Sequence, residues 1–157
     1  MDARDEMLAL ESQLCFALVT AARNVVSLYR PILEPLGLTH PQYLVMLALW
    51  EQSPRSLADL AEALAMEPAT LSPLVKRLEA QGRVERSRRS DDERVLDIAL
   101  SADGRALRER ALEVPGAVME RVGMDVAEIV ELREALARFA GPRSRHGRSG
   151  ADVGTPT

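Results

Sequence analysis

Between residues 56 and 100 the chain carries two adjacent helical patterns, a glycine at position 82, and two short alternating segments around a charged tip. In SLADLAEAL (56–64) the apolar residues Leu57, Leu60, Ala61 and Leu64 fall at i, i+3, i+4 and i+7. Ser56 is placed to cap, and Asp59 completes a box-like start. EPATLSPLVKRLEAQG (67–82) repeats the rule with Leu71, Leu74, Val75 and Leu78, opens at Pro68 and stops at Gly82. Then RVERSRR and RVLDIAL alternate around Val84 and around Leu96, Ile98 and Leu100, separated by Ser90-Asp91-Asp92-Glu93. Two short helices with one buried face each, followed by a β-hairpin, predict a winged helix-turn-helix.

The free face of the second helix carries Ala69, Thr70, Ser72, Pro73, Lys76 and Arg77. Small residues let a backbone sink into a major groove, the hydroxyls of Thr70 and Ser72 can reach base edges or phosphates, and Lys76 and Arg77 can hold phosphates. Arg86, Arg88, Arg89 and Arg94 gather around the hairpin, and arginine is the side chain suited to a narrow minor groove. Asp92 is placed to pair with Arg94 and stiffen the tip. The alternative is a merely solvated hairpin face; the helix beside it favours double-stranded DNA.

The whole chain, with 24 acidic and 20 basic residues, has a net charge of −4, which looks unlike a DNA binder. The local count differs. From Lys76 to Arg94 there are seven basic and five acidic residues, a net of +2 that leaves −6 elsewhere. A focused basic footprint on an acidic body should weaken non-specific binding and make it salt-dependent.

The rest reads as helix: about Glu6 to Arg30, with Pro31 expected to kink or end it and Gly37 marking the turn. Thr39 and Gln42 form a capping box for YLVMLALWE. Ser101 can cap a helix to about Val114, Pro115-Gly116 interrupts, and Asp125 with Glu128 opens a last helix ending at Gly141-Pro142. The expected fold is mainly α with a small β-hairpin wing. It forms one domain over 1–142, with the winged helix-turn-helix at about 39–100, dimerisation helices at about 6–36 and 101–141, and a disordered tail at 143–157. The outer helices are more apolar than a small DNA-binding head requires, and a second copy of the chain is the natural cover. A homodimer also suits a palindromic operator, with half-sites about 34 Å apart.

The acidic start MDARDEM is unlike a signal peptide and no apolar run approaches a membrane span, so a cytoplasmic protein with no membrane partner is expected. One cysteine excludes an intrachain disulfide; His40 and His146 without a Cys/His cluster imply no metal, and nothing implies a cofactor. No phosphate-binding glycine loop or Ser/His/Asp grouping is present, so an enzyme is not expected.

SLADLAEAL, TLSPLVKRLE, the DDER wing and LSADGRAL together resemble the MarR family of dimeric winged-helix transcriptional regulators. LCFAL followed by YRPILEPLGLTHPQYLVMLALWE is similar to the organic hydroperoxide-sensing branch of that family, the likeness covering about residues 7 to 140. The resemblance implies a repressor in which Cys15 is the redox sensor, oxidised by an organic hydroperoxide and then capped by a low-molecular-weight thiol, because the chain has no resolving cysteine. Of the tyrosines that hydrogen-bond the thiol in that branch, one matches Tyr29; the other falls at His40, a departure. Histidine could still donate, and if protonated would favour thiolate more than a phenol does. Tyr43 either packs against its neighbours or replaces the missing phenol. Phe16, Val19 and Met46 either line an apolar peroxide pocket or are ordinary core, and Cys15 itself has a bland reading as a small residue among Leu14, Phe16 and Leu18.

On one continuous helix Cys15 and Tyr29 would stand roughly 21 Å apart, beyond hydrogen-bond reach, yet within about 40° of the same face. An antiparallel partner helix crossing near Ala21 and Ala22 would bring one subunit's Tyr29 to the other's Cys15. Three alternatives accompany the redox repressor: a MarR-like repressor released by a small aromatic ligand, a thiol peroxidase using Cys15, and a winged-helix module binding only protein. The first keeps the DNA chemistry; the second lacks a regenerating cysteine, and the arginine wing argues against the third.

Overall fold

The computed structural model describes residues 2–140. A short helix α1 (Ala3–Met7) and a 3₁₀ turn (Leu10–Ser12) lead into the long helix α2 (Leu14–Leu33). A 3₁₀ turn (Glu34–Leu36) precedes α3 (His40–Glu51). Strand β1 (Arg55–Ser56), α4 (Leu57–Ala63), α5 (Pro68–Ala80), β2 (Val84–Arg88) and β3 (Leu96–Leu100) form the head. Helices α6 (Ala102–Ala111), α7 (Val114–Val122) and α8 (Val126–Ala137) follow.

Local signals place most of these ends. Thr39 Oγ1 accepts from the Gln42 backbone while Gln42 Oε1 accepts from that of Thr39, a complete capping box for α3. Asp125 and Glu128 do the same for α8. Ser56 Oγ accepts from Asp59 N–H at 3.0 Å, but Asp59 returns no bond, so that box is only half formed. Pro68 sits in the first turn of α5, and Gly82, at φ 75°, supplies the left-handed residue that turns the chain into the wing.

The hairpin pairs Val84 with Leu100, Arg86 with Ile98 and Arg88 with Leu96. A third strand joins it: Arg55 and Ser56 pair with Ile98 and Asp97, giving the antiparallel order β1-β3-β2. Two residues carry no alternation to read, so only the pairing reveals β1.

Three expectations change. The first long helix does not start near Glu6: the chain breaks at Ala9–Gln13, where no side chain reaches a core and Gln13 Nε2 instead donates to the carbonyls of Met7 and Ala9. Of the two outcomes expected at Pro31, a kink or an end, the end does not occur: α2 runs to Leu33, which is fully buried, so packing holds the last turn despite the lost N–H. The helix capped by Ser101 stops at Ala111 rather than near Val114, and Pro115 lies in the first turn of its successor. The expected tail at 143–157, and Gly141-Pro142, lie outside the described residues.

The core joins Leu33, Leu36 and Leu38 to Val45, Met46 and Leu49 of α3, Leu60 of α4, Leu71, Val75 and Leu78 of α5, and Val84 and Ile98 of the wing. Each fully buried leucine contributes on the order of 1.5–3 kcal/mol, so α5 is held firmly by its inner face. Helix α8 differs, with no buried residue; its Val126, Leu132 and Leu136 are exposed, as is Phe139 just beyond its end.

Candidate nucleic-acid interface

Helix α5 divides as its pattern requires. Leu71, Val75 and Leu78 are at most 1% exposed, while Thr70, Lys76 and Arg77 lie on the open side and Ser72 is half-buried at its edge. The cations of the wing, expected to act as one group, divide into different environments. Arg94, its side chain 91% exposed, projects from the tip; its Nε donates to Asp92 Oδ1 at 3.1 Å, as does its backbone N–H. Asp92 is thus paired with Arg94 at the tip, and the hydrogen bonds from Arg94 hold its carboxyl below the usual range.

Arg89 donates through both Nε and Nη2 to the Asp97 carboxylate at 3.0 and 2.7 Å, which holds Asp97 ionised to lower pH. Arg88 is exposed and forms no ion pair among the described residues. Arg86 turns inward: its Nη2 donates to Glu79 Oε1 of α5 at 2.9 Å.

Cys15, in the first turn of α2, is exposed, and so are its neighbours Leu14, Phe16 and Val19. Met46 does not join them; at 0% exposure it has no open surface to line an entrance. Tyr29, His40 and Tyr43 do come together. The Tyr29 and His40 rings meet edge to face at 4.8 Å, and Tyr43 lies 5.9 Å from Tyr29 with its ring buried. Burial raises the pKa of Tyr29; burial and then Tyr29 raise that of Tyr43, and burial lowers that of His40. The cluster therefore offers neutral phenols and a neutral imidazole, against the imidazolium considered above. Because α2 is continuous from Leu14 to Leu33, Cys15 and Tyr29 are roughly 21 Å apart along its axis within one chain.

A cavity of about 800 Å³ lies between α2, the start of α3 and the end of α5, lined by Arg23, Arg30, His40, Arg77 and Gln81 among others. Gln81 Nε2 donates to the Gly37 carbonyl at 3.3 Å across it. Arg77, read from sequence as a DNA contact, thus also borders this cleft. The sequence reading missed Arg23 and Arg30, although seven residues apart they fall within about 20° on one helical face. Among the described residues no group of three His, Cys, Asp or Glu side chains could hold a metal, and no helix is long and apolar enough to cross a membrane.

The MarR family model matches residues 38–96, from the chain leading into α3 to the start of β3. The organic hydroperoxide resistance transcriptional regulator of Bacillus subtilis (strain 168) is 36% identical over 87% of this chain and 92% of its own length. The chain belongs to the MarR family. It is a winged-helix, DNA-binding transcriptional regulator. Among solved structures, AbfR in its reduced form bound to DNA has a TM-score of 0.72 at 33% identity, covering 87% of this chain and 95% of that one. BpsR of Bordetella bronchiseptica, whose DNA binding is regulated by 6-hydroxynicotinic acid, has a TM-score of 0.73 at 27% identity, covering 82% and 99%. In this MarR regulator, the β2–β3 hairpin belongs to the wing.

Proposed function

We propose that this regulator is a homodimeric repressor that binds a palindromic operator and releases it when an organic hydroperoxide oxidises Cys15. The observation that carries the reading is the exposed thiol within an uncovered apolar stripe of Leu14, Phe16 and Val19, in a chain similar to a hydroperoxide resistance regulator. The exposed faces of α2 and α8 pack against those of the second copy. Tyr29 of one protomer then stands beside Cys15 of its partner, with His40 and Tyr43 behind it, so each dimer holds two shared sites.

The Cys15 thiolate attacks the outer oxygen of the hydroperoxide, the O–O bond breaks, and the products are a sulfenic acid and an alcohol once the alkoxide takes a proton. The neutral phenol of Tyr29 donates a hydrogen bond to the thiolate. A low-molecular-weight thiol then displaces the sulfenic oxygen as water and leaves a mixed disulfide. That bulk within the helix interface changes the spacing of the two α5 helices, which this reading takes as the recognition helices, and repression ends. A gel shift on operator DNA with and without an organic hydroperoxide tests this. Cys15→Ser should bind but not release; release by the serine variant refutes the redox reading.

A second reading is favoured by the cleft. Arg23, Arg30 and Arg77 border a cavity of about 800 Å³ that touches the recognition helix, a setting for a small aromatic acid that would release DNA without redox chemistry. Release of Cys15→Ser by such an acid, and not by peroxide, would select it.

A further inference from the structure

We propose that Glu79 is a positioning residue for DNA recognition, locking the wing to the recognition helix through Arg86, so that Arg86 is a strut and not a DNA contact. Glu79 lies in the last turn of α5 and Arg86 in the middle of β2. Both carboxylate oxygens are engaged: Oε1 accepts from Arg86 Nη2 at 2.9 Å and Oε2 from the Arg86 backbone N–H at 3.2 Å.

The backbone bond follows from the sheet. The sheet order makes β2 an edge strand, and the Arg89 N–H to Val95 carbonyl bond sets the phase of the ladder. In an antiparallel pair every second residue turns its N–H outward, which puts that of Arg86 on the open edge. Glu79 covers it. A main-chain and a side-chain bond from one carboxylate tie two elements together more rigidly than a side-chain pair alone.

The guanidinium is turned away from solvent at this contact: Nη2 is engaged by Glu79, Nε is buried, and the side chain is only 28% exposed. The strut lies between two sets of outward cations: Lys76 and Arg77 precede Glu79 on the helix, and Arg88 follows Arg86 on the strand. Its geometry therefore sets the spacing between what enters the major groove and what reaches the minor groove.

The sign of the effect separates this role from simple electrostatics. An acid beside a DNA-binding face repels phosphates, so neutralising it should tighten binding. The strut predicts the reverse. The probe is a duplex selected from a randomised pool by the wild-type dimer, read by fluorescence anisotropy across a salt series. Glu79→Gln should bind it about tenfold more weakly, the scale of one lost charge-assisted hydrogen bond, with the slope of log K against log salt unchanged. Arg86→Ala should show a similar loss and an unchanged slope, and combining the two should add little. Equal or tighter binding by Glu79→Gln overturns the proposal, as does a slope flattened by about one unit in Arg86→Ala. If Arg86→Ala does not fold, the near-isosteric Glu79→Gln decides alone.

Discussion

Replacing Gly104 by alanine should destabilise this protein, although the position is helical and alanine is the better helix former. Propensity alone would stabilise the variant by about 1 kcal/mol. At Gly104, however, a Cβ would sit well inside 3.0 Å of the Arg83 carbonyl oxygen, with the Arg83 carbonyl carbon at 3.1 Å and Leu100 Cδ2 at 3.3 Å. The obstacle is backbone at the root of the wing and cannot swing aside.

The same residue is tied from other sides. Its N–H donates to Ser101 Oγ at 3.0 Å and its carbonyl accepts from Trp50 Nε1 at 2.9 Å, while Ser101 N–H donates to the Arg83 carbonyl at 3.1 Å. Moving α6 away to admit a methyl group strains or breaks these bonds. Overpacking costs about 1–3 kcal/mol and each lost bond about 1 kcal/mol, so a net loss of about 2–4 kcal/mol is expected after the propensity gain. For a chain of this size that lowers Tm by roughly 5–15 °C, read by thermal melting at fixed protein concentration. Gly116→Ala is the control: it too is helical, but its Cβ would meet nothing within 4 Å, and it should raise stability by about 0.4–1 kcal/mol. A Gly104→Ala Tm at or above wild type would refute the close-approach argument.

Arg94→Ala should weaken operator binding without unfolding and flatten the log-log salt dependence by about one unit; an unchanged slope would remove Arg94 from the phosphate contacts. A mixed dimer of one Cys15→Ser and one Tyr29→Phe subunit keeps one complete shared site and should react with hydroperoxide there at the wild-type rate; reaction as slow as the Tyr29→Phe homodimer would rule out sharing between subunits. His40, with its pKa lowered by burial, should titrate below 6.5 by proton NMR. Because the unfolded chain binds that proton more readily, the His40 contribution to stability is complete above about 6.5 and declines as pH falls through the folded pKa. Acidification from neutral should therefore destabilise wild type more than His40→Gln, and equal pH dependence would refute the buried setting.

Much of the head was legible in the sequence because its determinants are local. The caps at Thr39, Ser56, Ser101 and Asp125 act over three residues, the inner faces of α4 and α5 repeat every three or four, and Gly82 sets its own backbone angle. The Asp92–Arg94 pair was readable for the same reason, its partners being two residues apart. Contacts between distant segments were not. Glu79 reaches Arg86 only because α5 and β2 pack together, so a residue that looks in sequence like one more DNA-facing arginine is held against the protein. Trp50 meets Gly104 across 54 residues and Arg23 shares a cleft with Arg77, which no periodicity encodes. The start of α2 moved from Glu6 to Leu14 because Gln13 takes an extended backbone and its side chain ties back to the carbonyls of Met7 and Ala9. Sequence determined most of the elements of the head, β1 excepted, and which faces of α4 and α5 are hidden. Tertiary packing decided which charges stay free for DNA, since an arginine's partner depends on what the fold brings within about 3 Å of it.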